Sequence, residues 1–118
     1  MEIKELEESR VAEVVEFYGE VILTGEEKEE GKKKFEGEVK SALGKDHMLI
    51  ALENGELIGF SWSRIYEDKG GKKVDKMIRL IVQPEKYGMG IGGALIEREM
   101  KYAREKEVDV FDIEVGRI

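Results

Sequence analysis

Residues 83–96 read QPEKYGMGIGGALI, with Gly88, Gly90, Gly92 and Gly93 crowded between the apolar run 77–82 and a segment of helical spacing. A strand that ends, a glycine-rich turn and a helix start make a ready anion site. Successive N–H groups point inward, glycines let a ligand approach the backbone, and the helix N-terminus adds partial positive charge. The other reading is a flexible joint with no ligand. Gly88, Gly90 and Gly93 also spell G-x-G-x-x-G, with Asp109 and Asp112 about twenty residues further on, the pattern of a dinucleotide fingerprint. Against that reading, Gln83 to Tyr87 separate the first glycine from the strand, and no second βαβ half follows.

Working outward, the preceding run VDKMIRLIV (74–82) predicts a strand, closed by Pro84, the only proline, which cannot donate to a ladder. Upstream, HMLIALENGELIGFSWSRIY (47–66) is two β-rich runs around Asn54-Gly55, the strongest short hairpin signal. DKGGKK (68–73) supplies the next turn. Phe60 and Trp62, two apart, are expected on one core face, and His47 reads as a partly exposed strand end. Residues 2–7 suggest a short first strand. Val11, Val14, Val15 and Tyr18 then repeat at helical period, with Ser9 as expected N-cap and Gly19 or Gly25 as expected stop. Phe35, Val39 and Ala42–Leu43 mark a second helix with a charged, solvated face, ended by Gly44 and weakened by Gly31 and Gly37. After the glycines, a helix is predicted from about Met89 to Glu105, with Ile91, Ala94, Leu95 and Tyr102 on one face, and VDVFDIEV (108–115) as a final strand.

The order is β-α-α-β-β-β-α-β, a single α+β domain over residues 1–118 with an antiparallel meander and a parallel β-α-β end. Its composition is 41% hydrophobic and 40% charged, with no Cys and one His. There is therefore no disulfide framework, no thiolate nucleophile or metal site, and no multi-histidine metal centre. A net charge of −7 argues against nucleic acid as the main partner. No apolar run approaches the length of a membrane span and no signal core follows Met1, so a soluble, cytoplasmic protein is expected. Abundant Glu and Lys, with one Asn and one Gln, suggest a thermophilic origin.

LIVQPEKYGMGIGGALI resembles motif A of the GNAT superfamily of N-acetyltransferases, matching at Leu80, Val82, Pro84, Gly88, Gly90, Ile91, Gly92 and Leu95, with Ile96 conservatively replaced. ALENGELIGF, with Gly59, resembles the family's hairpin between its second and third strands, and FDIEVG its fifth strand. The resemblance implies that acetyl-CoA is the cosubstrate and an amine, on a small molecule or a protein, the acceptor. It implies a pyrophosphate site at the backbone of Tyr87, Gly88, Met89, Gly90, Ile91, Gly92 and Gly93, with Lys86 as a neighbouring charge. It further implies that Leu80, Ile81 and Val82 pair with the pantetheine arm as an added strand, with the Val82 N–H as expected oxyanion donor.

Three departures qualify what the resemblance implies. Tyr87 stands where the family has Arg or Gln. Lys76 stands where many members carry a general-base Glu, leaving Asp75, Asp112 and Glu114 as catalytic candidates by strand location alone. Each of the three is otherwise read as a surface or ion-pair carboxylate. The sequence given stops at EVGRI, where the family continues with a helix and two strands, so an uncovered final strand and a homodimer through it are expected. The alternative function is a non-catalytic CoA-binding module lacking the second half-site.

Overall fold

The computed structural model describes residues 1–113, which form β1 (Glu2–Glu5), α1 (Val11–Val21), α2 (Lys28–Ala42), β2 (His47–Glu53), β3 (Glu56–Glu67), β4 (Lys73–Val82), α3 (Ile91–Glu105) and β5 (Val110–Ile113). The five strands lie in the order β1-β2-β3-β4-β5. The first four are antiparallel, and β5 joins β4 in parallel from Val74↔Val110 to Met77↔Ile113. This is the expected mixed α+β sheet with its parallel β-α-β end.

Local chemistry accounts for the joints. Asn54 and Gly55 both take positive φ (52° and 81°), as a two-residue hairpin turn between right-twisted strands requires. Asp68 Oδ1 accepts bonds from the Gly70 and Lys72 N–H groups, fixing the β3–β4 turn. Gly44, at φ 88°, follows α2 as expected.

Helices cover both faces of the sheet, so β2 is buried from Met48 to Leu52 without alternation. On one face Phe35 of α2 meets Phe60 and Trp62 edge-on, at 6.1 and 6.3 Å between ring centres, within a core that includes Val14 and Val39. On the other, Ile91 and Leu95 of α3 pack with Leu49, Ala51 and Ile58. Gly59 permits that approach, because a Cβ there would stand 3.0 Å from Ile91 Cγ2 and 3.1 Å from Leu95 Cδ1.

Several sequence expectations need correction. Ser9 does not cap α1: it lies inside a one-turn 3-10 helix, Glu8–Arg10, and no side chain caps either element. Gly19 does not stop α1, which runs on to Val21. The glycine is there for proximity, since a Cβ would lie 2.6 Å from Lys32 Cδ of α2. Gly31 likewise sits within an unbroken α2, facing Leu23 with 2.8 Å between a would-be Cβ and Cδ1. The first strand ends at Glu5, α3 begins at Ile91, and β5 is described only from Val110 to Ile113.

Candidate functional site

The glycine turn occupies the corner between β4 and α3. Pro84–Lys86 form one 3-10 turn, after which Gly88 (φ 82°) and Gly90 (φ 81°, ψ 10°) take left-handed conformations that only glycine adopts without strain. The Tyr87 N–H donates to Pro84 O (3.2 Å) and the Met89 N–H to Lys86 O (3.3 Å), so two of the expected donors are used inside the turn. The Ala94 N–H bonds Gly90 O at 3.0 Å, and no side chain caps α3. The N–H groups of Ile91, Gly92 and Gly93 precede that bond and have no acceptor within the helix. Open space surrounds Gly88, Gly90 and Gly93, whereas a Cβ at Gly92 would touch Leu80 and Val82 at 3.8 Å. The corner is thus a set of aligned donors at the positive end of a helix.

The side chains around it lie at the surface. Lys86 Nζ lies 3.8 Å from Glu53, while Tyr87 and Met89 are exposed. Leu80 and Val82 pack toward α3 and Ile81 into the opposite core, leaving their backbone as the part a ligand can use. In the β3–β4 ladder Trp62 pairs with Arg79 and Ser63 with Met77, so Ile78 is skipped. The described β5 pairing ends at Met77, which leaves Ile78 as the one position of β4 without a described partner on either side.

The catalytic candidates separate. Asp112 lies on β5 opposite Lys76, and Glu114 falls outside the described residues. Asp75 is fully buried beneath α3 beside Glu99, which corrects its reading as a surface or ion-pair carboxylate. Burial first, and then the Glu99 carboxyl, push Asp75 up to about 8. Both Asp75 oxygens and Glu99 Oε2 lack an aligned hydrogen-bond partner. Two ionised carboxylates can only accept, so a proton held by one supplies the missing donor to the other.

His47 belongs to the same cluster. Its Nδ1 is 2.5 Å from Glu99 Oε1, its Nε2 is 3.0 Å from Glu5 Oε1, and its ring stacks on Tyr102 at 3.5 Å. His47 is the partly exposed strand end expected, and the bridge it makes between Glu5 and Glu99 was not foreseen. Burial, followed by the Glu99 charge, pushes the Tyr102 phenol up. Glu99 lies about 13 Å along α3 from Gly90, at ~1.5 Å per residue. The cluster is thus separate from the corner. Sequence reading missed Glu99, although Ile91, Leu95, Glu99 and Ala103 recur every four residues and all four are buried.

On the opposite face a hollow of about 1010 Å³ opens between α2 and β3–β4, reaching Ile78 and Arg79. At its base Arg79 lies over the rings of Tyr18, Phe35 and Trp62, with 5.2, 5.4 and 5.9 Å to their centres. Trp62 Nε1 and Arg64 Nη2 each donate to Asp46 Oδ2 at 2.8 Å. Burial opposes the Asp46 charge, yet bonds from Arg64 and Trp62 hold its carboxyl below the usual 3.8. Among the described residues there is no His/Cys/Asp/Glu group suited to a metal, and no helix is long and apolar enough to cross a membrane.

Comparison with known proteins bears on this arrangement. An N-acetyltransferase of Archaeoglobus fulgidus, itself uncharacterized, is 38% identical over 78 residues, 62% of this chain and 51% of that protein. Mycothiol acetyltransferase of Salinispora tropica is 35% identical over 59 residues, 49% of this chain and 19% of that protein. The match thus spans about half the length of the first relative and less of the second. Among solved structures, a ribosomal-protein-alanine N-acetyltransferase of Brucella melitensis superposes with TM-score 0.80 at 17% identity, covering 100% of this chain and 82% of that one. An aminoglycoside 6'-N-acetyltransferase of Acinetobacter haemolyticus gives TM-score 0.80 at 17% identity, with 97% and 79% covered. These likenesses show a shared fold. The model of the acetyltransferase (GNAT) family matches residues 12–116, glycine corner included, and the chain belongs to that family.

Proposed function

We propose that the chain binds acetyl-CoA at the β4–α3 corner and transfers the acetyl group to an amine. One observation carries this reading: an uncapped helix N-terminus entered through two left-handed glycines, in a chain of the acetyltransferase family. The N–H groups of Ile91, Gly92 and Gly93 hold the pyrophosphate, and the edge of β4 from Val82 back toward Ile78, which has no second strand partner among the described residues, receives the pantetheine arm as an added strand. The oxyanion donor is placed at Ile78, where the β3 register skips a residue and β4 bulges. The amine nitrogen attacks the thioester carbonyl carbon, the C–S bond breaks, and the proton lost by nitrogen leaves to solvent or a carboxylate. CoA departs as thiolate and takes a proton from solvent. Asp75 does not serve as base, being buried beneath α3 on the face away from the hollow.

A thermal-shift titration with acetyl-CoA, CoA and NAD tests the reading. Ligand at about 100 times its Kd adds about 2.7 kcal/mol of stability. Shifts with acetyl-CoA and CoA but not NAD are expected, and none with any of the three overturns it. A shift without turnover on any amine favours a non-catalytic CoA-binding module.

Self-association through β5 belongs to the same proposal. Val110 and Ile113 are exposed on a strand at the sheet's edge among the described residues. A monomer in solution scattering at high micromolar concentration overturns it.

A further inference from the structure

We infer that the hollow between α2 and β3–β4 selects an acceptor amine that also carries an anionic group, a carboxylate or a phosphate. The inference rests on the acetyl-CoA reading, which brings the thioester to Ile78, at the hollow's edge. Four cationic side chains line the hollow (Lys34, Lys45, Arg64 and Arg79) against two acidic ones (Glu38 and Asp46). In a chain of net charge −7 that balance is local and opposes the molecule's overall field.

Asp46 is engaged, whereas Glu38 is only loosely paired. Asp46 accepts from Trp62 and Arg64, and Glu38 lies 3.8 Å from Arg79. That last separation is too long for a close charge-assisted bond, and the Arg79 side chain stays about one-third exposed (32%). Its guanidinium is nevertheless held in place by the three rings beneath it and by a 3.4 Å contact to Tyr18 Oη. Lys34 and Lys45 add positive charge around it, the Lys45 charge also acting on Asp46. A fixed guanidinium at the base and two ammonium groups around it suit one small anion. The same set repels a polycationic acceptor. With the anion on Arg79, the neighbouring residue on β4 is Ile78, so the amine of a short bifunctional acceptor lies near the thioester carbonyl.

The chain's single tryptophan, Trp62, lines the hollow and reports its occupancy. The intact protein is titrated at constant ionic strength with O-phosphoethanolamine and β-alanine, against ethanolamine and β-alaninamide as neutral-tailed partners, while Trp62 emission is followed. A saturable change is expected with at least one anion-bearing amine and with neither control, and the same compound is the better acetyl acceptor in kcat/KM. Arg79→Gln raises its Kd about tenfold or more, and Lys45→Ala, at the rim, raises it less. Lys45→Ala keeps the acetyl-CoA thermal shift. Equal responses within each pair, no response to either anion, or unchanged Kd in both variants overturns the inference. Loss of the acetyl-CoA shift in the unaltered protein instead removes the reading beneath it.

Discussion

Gly90 combines two demands on a single residue. Its φ of 81° excludes most side chains, and the space where a Cβ would project is open. Gly90→Val therefore introduces backbone strain of about 1–2 kcal/mol and places a branched side chain where a phosphate would approach. The expected result is a lower melting midpoint together with loss of the acetyl-CoA shift. A retained shift would separate the glycine from ligand binding.

Asp75 makes a different residue-scale prediction. Its carboxyl moves from the ordinary 3.8 up to about 8, so within that window the folded state keeps a proton that the unfolded chain has released. Stability then falls as pH rises from about 4 to about 8 and levels off above. Asp75→Asn removes this contribution. Urea midpoints of protein and variant at pH 5 and pH 8 check it, and equal pH dependence in the two refutes it. Sequence reading placed Asp75 on the right strand but not its depth, because depth depends on α3 lying over it. The partners of His47 were missed for the same reason, Glu5 and Glu99 being 42 and 52 residues away.

At the scale of elements, glycines divide by what they face. Gly37 lies mid-helix in α2 with nothing within 4 Å of a would-be Cβ. Gly37→Ala should add about 0.5–1 kcal/mol, seen as a melting midpoint a few degrees higher. Gly59→Val should do the reverse, losing about 1–3 kcal/mol by forcing Ile91 and Leu95 outward. Because Ile91 opens α3, the displacement also reaches the glycine corner, and acetyl-CoA binding should weaken with it. Unchanged binding would uncouple the two. Hairpin, meander and parallel end were legible in the sequence because Asn54-Gly55, Asp68–Gly71 and Pro84 act locally. The extents of α1 and α2 were not, because Gly19 and Gly31 read as breakers while serving contacts with Lys32 and Leu23. The corner itself was legible, since backbone conformation at a glycine is written in the residue type. The Ile78 bulge was not, because it depends on how β3 and β4 align.

For the whole molecule, the net charge of −7 acts against any anionic ligand arriving from solution. Screening reduces that repulsion over distances of about 10 Å and more at 0.1 M salt. The association rate of acetyl-CoA should therefore rise between ~10 and ~150 mM salt, measured by stopped-flow. A rate that falls with salt would mean that the cations near the corner and hollow govern the approach.

The bridge Glu5–His47–Glu99 ties β1 to α3 through one imidazole. Its consequence lies in how the molecule opens. Among the described residues β1 has only β2 as a sheet partner, and alone it would fray first. Joined through His47 to the middle of α3, it shares the opening of that helix. In native-state hydrogen exchange the β1 amides and the second half of α3 should exchange together, as one cooperative unit, and His47→Ala should split them into two.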